Sequence, residues 1–597
     1  MNNKQKEWDF SLLLKGVAPK DLEKEKEEIK EKVDSFASKW KEEDFLKDEK
    51  ILKRSLDDYE NLMANYGTSG RLGYYYFLKK SLNQSDSDLK AKSKKLEEFS
   101  KRREDKLRFF ELKIAKTDPE KQEEFLNSET LSEYRNFLKN SFREGGYMLS
   151  EKEEKILSLK SGPAYNNWVN MVSQFLSEET REVLNPDEKK EEKSFSEITS
   201  LLTNKSKKVR DKAAKAFNDI LKQNLDVAEM ELNSVLEDKK INDELRGFQR
   251  PDKPRFISDD VKGEMVDTLV QTVTDNFDIP QDYYKLKADL FNVDKLEYHE
   301  RNVPFGSLDK EYSFEEAREV VGQVLSDLDP EFKSIFEDFV DNGHVDLKPK
   351  KGKRGGAFCI HNLINQPVYI LLNYTDKLED VLTLIHETGH GINNELMRQD
   401  QNSLNFGVST FTAEVASTFF EDFLTEKVAE KGGDELRLTL LMNKLDRDIS
   451  TIYRQIAAVN FERELHESFR GKGYLSEKEI GSLFKGHMEA YMGRFVEQSK
   501  GSENWWVYWS HIRRFFYNYS YAGGLLISKA LQRKVKEDPE FITRVKEFLK
   551  TGTSKSPREI FKKMDIDITS RDFWLQGIEE NRNLLKEAKS LSNNLKP

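Results

Sequence analysis

Long stretches of this chain repeat their apolar positions every three to four residues, the spacing that gathers them on one face of an α-helix. Ile29, Val33, Phe36 and Trp40 keep that rhythm within a Lys- and Glu-rich stretch over 20–60. It reads as a long helix or an antiparallel helix pair with a solvated outer face. Leu96, Phe99, Leu107, Phe109 and Phe110 continue the pattern over 86–140, and it returns from Phe195 to about Phe248. The stretch from Arg246 to Pro251 breaks it, and Pro251 and Pro254 mark a loop. The charged run from Pro186 to Lys193 has no period and reads as a hinge between an N-terminal region and the rest. No fixed-period repeat is present.

The texture changes between 340 and 375. A basic, glycine-rich turn runs from Asp346 to Gly356. The β-branched and aromatic runs Ala357–Ile360 and Pro367–Asn373 then predict two strands, joined by a hairpin loop over His361–Gln366. Pro367 suits a strand start or a sheet edge. This is the only convincing sheet signal. Helical spacing resumes at about Asp376 and runs nearly to the end.

Composition narrows the class. The 597 residues are 35% charged and 37% hydrophobic, and the 11% aromatic content argues against disorder. A net charge of -11 repels nucleic acid, so neither DNA nor RNA is expected as a partner. The single cysteine, Cys359, excludes an intrachain disulfide and fits a reducing compartment. The first residues hold no apolar signal core, and no stretch approaches the roughly 20 apolar residues of a membrane helix. A cytoplasmic, membrane-free protein is the expectation. The oligomeric state stays open.

The chemistry sits just after the second strand. His386 and His390 are four residues apart on a helix and so can reach one ion, with Glu387 beside the first histidine. Paired histidines also occur as ordinary surface residues. Here Val381, Leu382, Leu384 and Ile385 precede them, which puts the motif on a core helix where unpaired polar groups are costly. Zinc in catalytic sites takes three protein ligands and a water, and no third histidine follows at short spacing. Glu414, set among small residues and flanked by Phe411, Val415 and Phe419, is the natural third ligand. Glu395 points off the ligand face, and Glu421, two turns beyond Glu414, could orient a ligand histidine. Glu387 would take a proton from the attacking water and return it to the leaving amine.

A peptidase also needs donors for the oxyanion. His511, Tyr517, Tyr519 and Tyr521 fall within eleven residues, in a segment that would otherwise read as an aromatic core helix.

These motifs resemble oligoendopeptidase F, of the thimet oligopeptidase-like family of zinc peptidases. The resemblance rests on Lys353–Cys359, Asn373-Tyr374, Asp380–His390, Ala413–Thr418, Phe461–His466 and His511–Tyr521, in that order and spacing. Upstream it extends to Val209–Phe248, Tyr283–Lys287 and Tyr312–Ala317, leaving the first hundred residues least distinctive. It implies a mainly α fold, with two helical lobes around a deep channel and a small β-sheet beside the zinc helix. It implies an N-terminal helical region over 1–110, an oligopeptidase F N-terminal-type domain over 111–193 and a catalytic domain over 194–597. It implies one zinc ion held by His386, His390 and Glu414, with Glu387 as general base. His511 with one or two of Tyr517, Tyr519 and Tyr521, Tyr519 and Tyr517 foremost, fall where the family has transition-state groups. Gly356, Ala357, Phe358 and Cys359 would pair with the substrate, which agrees with an edge at 367–373. Short peptides are the implied substrates, cut at internal bonds. The chain departs from the family at Asn393 and Asn394, where a histidine is usual nearby, and at Thr388, usually apolar. The alternatives are a related zinc exopeptidase, marked by a basic residue or loop that clamps the terminal carboxylate, for which Arg513 and Arg514 beside His511 could be mistaken, and a catalytically dead helical binding protein.

Overall fold

A computed structural model describes residues 6–306, 310–430 and 433–595. Among these residues helices dominate and strands are short, as the 3.6-residue rhythm predicts. Ser150, Ser194, Ser313, Ser476 and Ser556 each open a helix with a glutamate three residues on, and each pair forms a capping box. Such boxes satisfy first-turn N–H groups that would otherwise be orphaned. No helix among the described residues is long and apolar enough to cross a membrane.

The chain forms two compact units, each built from three separate segments. The first comprises Met1–Met148, Asp309–Val428 and Leu531–Ile566. The predicted helical stretch over 20–60 divides into helices Glu25–Glu42 and Glu49–Asn65. Ile29, Val33, Phe36 and Trp40 are all buried, and Phe36 meets Phe110 edge to face with centroids 5.1 Å apart.

The first unit also holds a three-stranded sheet of β4 (Val345–Asp346), β5 (Phe358–Ile360) and β6 (Tyr369–Leu371). β6 lies in the centre, parallel to β4 and antiparallel to β5. The sequence reading made 367–373 an edge. The structure corrects this: β4 and β5 are the edges, and β6 is central and buried throughout. Val345 and Asp346 are too short a run to show a period, so the third strand was invisible. One face of the sheet is covered by Trp8, Leu13, Tyr74 and Leu78. Trp8 Nε1 donates to Ile370 O at 2.9 Å, and Tyr74 Oη donates to Ile360 O at 2.8 Å. Helix Leu378–Asp400 packs against β5 and β6.

The second unit comprises Leu149–Leu308, Ala429–Ala530 and Asp567–Pro597. It contains a hairpin of β1 (Thr180–Leu184) and β2 (Lys190–Ser194), where the sequence reading placed a hinge. The strands carry almost no apolar alternation, since only Val183 is buried. Pairing is set instead by the turn, where the Asn185 carboxamide oxygen accepts from the N–H groups of Asp187 and Lys189, both at 3.0 Å. The Lys190–Glu182 ion pair at 2.9 Å supports it. A short parallel pair joins β3 (Leu296–Glu297) to β7 (Val496–Glu497). Helices Asp434–Asp448 and Arg454–Lys472 are continuous through a π-helical turn at Ile449–Tyr453. Three buried cations in this unit have buried carboxylate partners: Arg210 with Glu300 at 2.8 Å, Arg513 with Glu231 at 2.7 Å and Lys529 with Asp448 at 2.7 Å.

Candidate active site

Helix Leu378–Asp400 brings His386, Glu387 and His390 against helix Ala413–Ala429, which carries Glu414 and Glu421. Gly389 sets the spacing of the two helices. A methyl group there would lie 2.8 Å from Ser417 Cα and 2.9 Å from Ala416 O, so the backbones meet where no side chain fits. Ser417 Oγ donates to Glu414 Oε2 at 3.0 Å and fixes the carboxylate.

Three donor atoms converge. His386 Nε2 lies 3.5 Å and His390 Nε2 3.6 Å from Glu414 Oε2. Ligands bound tetrahedrally to zinc at about 2.0–2.1 Å would sit about 3.4 Å from one another. The set of two imidazoles and one carboxylate therefore fits a zinc ion with a fourth position open. Glu395, the weaker rival, lies outside this group and pairs with Arg398 at 3.3 Å. Glu421 accepts a hydrogen bond from His386 Nδ1, which leaves Nε2 free to turn toward an ion.

Charge in this cluster is uneven. Burial opposes protonation of His386, yet the Glu421 hydrogen bond and the Glu421, Glu387 and Glu414 charges raise its pKa to about 9. Burial holds His390 well below the usual histidine range, with the His386 charge acting in the same direction and Glu414 against it. Glu387 is 7% exposed. Burial pushes its carboxyl up to about 7, against the His386 charge and the Cys359 backbone N–H, with Glu414 and Glu421 adding to the rise. A carboxyl so poised can change protonation state near neutrality.

β5 runs beside this helix. Asn373 Nδ2 donates to Arg354 O at 2.9 Å and to Gly356 O at 2.7 Å, anchoring the approach to the strand. Gly356 has φ 74°, which a side chain disfavours. Phe358 and Ile360 pack on the Trp8 side, while the Cys359 thiol, pushed up by burial and by the Glu387 and Glu395 charges, faces the metal helix. Of the departures from the family pattern, Asn393 is buried and donates to Leu549 O at 2.6 Å. The buried Thr388 hydroxyl has no hydrogen-bond partner among the described residues.

The second unit holds the aromatic segment. Trp509 Nε1 donates to His511 Nδ1 at 3.2 Å, which places the imidazole proton on Nε2, facing Tyr521 Oη at 3.2 Å. Burial lowers the His511 pKa, and Arg514 and Arg454 lower it further, so the ring is a neutral donor. Tyr517 stacks on His511 at 5.8 Å and meets Tyr521 at 5.2 Å. The structure thus groups Tyr517 and Tyr521 with His511. Tyr519, foremost in the sequence reading, departs from this group: it is fully buried and donates to Asp259 Oδ2 at 2.5 Å. In this segment the helix starts only at Tyr519, after a reversal at Phe515 and Phe516, so helical spacing misleads. Both phenylalanines have positive φ, at 50° and 55°. The turn is held by buried Glu462, which accepts from Phe516 N at 2.6 Å, and by His466, whose ring lies 4.8 Å from Phe516. The sequence reading quoted Phe461–His466 without a role, and these contacts supply one. Arg513, which could be mistaken for a carboxylate clamp, is taken up by Glu231 and by Trp506 O, both at 2.7 Å.

With this geometry in hand, comparison with known proteins is decisive. A profile of peptidase family M3 matches residues 200–580, and one described as oligopeptidase F matches residues 113–180. The chain belongs to peptidase family M3. It is 26% identical over 601 residues to an oligoendopeptidase F homolog of Borreliella burgdorferi, covering 98% of this chain and 97% of that protein. It is 25% identical to the plasmid oligoendopeptidase F of Lactococcus lactis subsp. cremoris, covering 81% of each. The crystal structure of oligoendopeptidase-F from Enterococcus faecium shares the fold, with a TM-score of 0.73 at 18% identity over 96% of this chain and 99% of that one. The resemblance read from the motifs is borne out, and this M3 protein is a peptidase.

Proposed function

We propose that this M3 peptidase is a zinc-dependent endopeptidase that cuts internal bonds of short oligopeptides. The observation that carries the reading is the convergence of His386 Nε2, His390 Nε2 and Glu414 Oε2 beside a buried Glu387. A zinc ion held by those three atoms would polarise the scissile carbonyl and acidify a water molecule. Glu387 takes the proton of the attacking water and delivers it to the departing amine, a role suited to a carboxyl buried beside the donor set. His386 is kept in the tautomer that offers Nε2 by its bond to Glu421. His511 Nε2–H, with Tyr521 and Tyr517 around it, supplies neutral donors for the oxyanion. The edge strand β5, from Gly356 through Cys359, offers backbone groups to an extended peptide. The oligopeptide substrate is carried over from the names of the Borreliella and Lactococcus relatives.

The test is cleavage of an internally quenched octapeptide by the wild type and by Glu387→Gln, with metal content measured on both. The wild type is expected to cut internally, and the variant to keep one zinc while losing at least about a hundredfold in kcat. Cleavage restricted to terminal residues would replace the reading with an exopeptidase. Loss of zinc with full activity would end it.

A further inference from the structure

A cavity lies in the second unit with His511 in its lining. It measures about 260 Å³ and is walled by Tyr298, Phe484, Trp505 and Trp509, with Arg301 and Arg454 in its lining. Arg301 is only 4% exposed. Its guanidinium stacks over Tyr298 at 4.2 Å and Trp505 at 4.6 Å, and Nη1 donates to Tyr298 O at 2.7 Å. Its Nε has no hydrogen-bond partner among the described residues. Arg454 lies over Trp509 at 5.1 Å, and its Nε is likewise buried without an acceptor among the described residues, as is that of Arg210, so what sets Arg301 and Arg454 apart is the missing carboxylate. Arg454 is the first residue after the π-helical turn Ile449–Tyr453, which resets the register of the helix at that point.

The contrast with the other buried cations gives the cavity its meaning. Arg210, Arg513, Lys287 and Lys353 each meet a carboxylate at 3 Å or closer. Neither Arg301 nor Arg454 meets one among the described residues. Two uncompensated guanidiniums, one of them deeply buried, are costly unless an anion completes them. Their planar forks suit a carboxylate, and the stacked rings hold them in place. The field is already felt by the neighbour, since Arg454 helps to hold His511 neutral.

We propose that this cavity binds a carboxylate of the peptide substrate, with Arg301 and Arg454 as its ligands. The inference rests on the peptidase reading for its choice of anion: the anions an unmodified peptide carries are its C-terminal carboxylate and its acidic side chains. Either source presents the same group to the two arginines. Arg301 and Arg454 are thus specificity-determining residues that favour peptides carrying a carboxylate.

The test uses full-length Glu387→Gln protein loaded with zinc and isothermal titration of four kinds of octapeptide built on one parent sequence. These are the free acid, the C-terminal amide, the amide with one internal Glu, moved through the positions, and the same with Gln. A carboxylate-bearing peptide is expected to bind at least about tenfold more tightly than the neutral amide, about 1.4 kcal/mol. The preference is expected to collapse in Glu387→Gln/Arg454→Gln. If the free acid gains, the terminus is the source; if the Glu peptide gains, it is the side chain. Because Arg301 is buried, Arg301→Lys serves as the second variant, checked by its melting temperature, and should weaken the preference without reversing it. Equal binding of all four peptides, or a preference that survives both variants, overturns the proposal. Cleavage by the wild type is scored separately. Cutting all four peptides with equal kcat/KM sinks the carboxylate site and leaves the peptidase reading intact. A preference in binding without any cleavage does the reverse.

Discussion

At the scale of single residues, the candidate site depends on which groups hold protons. His386 needs its Nε2 free for a metal, and Glu421 on Nδ1 is what fixes that tautomer. Glu421→Gln keeps the shape and removes the charge, so zinc affinity is expected to fall 10–100-fold, as read by competition with a chromogenic chelator. The same pair sets a pH dependence. With its pKa raised to about 9, His386 is protonated at neutral pH, and metal binding must expel that proton. The proton competes more strongly as pH falls, so affinity should drop about tenfold per unit between pH 8 and pH 6. An affinity flat across that window would mean that His386 is not a ligand. His390, held low, adds no slope there.

At the scale of elements, the helices were legible and the short strands were not. Ile29, Val33, Phe36 and Trp40 announce their helix because one face is buried continuously. The hairpin β1–β2 has one buried residue and is held by an Asn185 turn and by charges, none of which leaves a period-two trace. The edge position of β5 was likewise hidden, because an edge is decided by which strand the two-residue β4 joins. That correction carries a test. If β5 receives the substrate backbone, alternate N–H groups of the peptide must face it. A scan of single N-methylated octapeptides is expected to lose tenfold or more in kcat/KM at every second position near the cut. A smooth, position-independent loss would exclude strand pairing. The convergence of His386, His390 and Glu414 was readable because a four-residue spacing and an acidic residue among small ones are local signals. Arg301 and Arg454 were not, since a lone arginine looks the same in sequence whether or not a carboxylate meets it in space. Nor was the separation of Tyr519 from the His511 group, which depends on the reversal at Phe515 and Phe516.

At the scale of the whole molecule, the chain crosses between its two compact units several times, so neither unit is a continuous segment. All three metal-site donors lie in the first unit. An ion that binds only the folded site stabilises it by mass action, about 2.7 kcal/mol at a free concentration one hundred times Kd. Scanning calorimetry with and without zinc is therefore expected to raise one transition if the units melt apart, and to raise the whole endotherm if they melt together. An unmoved profile would place the ion elsewhere or nowhere.

The contact at Gly389 has a consequence for what this centre can hold. The gap between the two helices is set where main chain meets main chain, Gly389 against Ser417 and Ala416, with the Phe420 ring at its rim. The reach from His386 and His390 to Glu414 is thus a fixed gauge, machined into the backbone and not tuned by repacking. A wider cation that wants longer bonds and more oxygens would have to prise the helices apart along their whole seam. Selectivity for a small ion is in this sense a property of an absent side chain, and any attempt to retune the centre begins at the seam, before the ligands are touched.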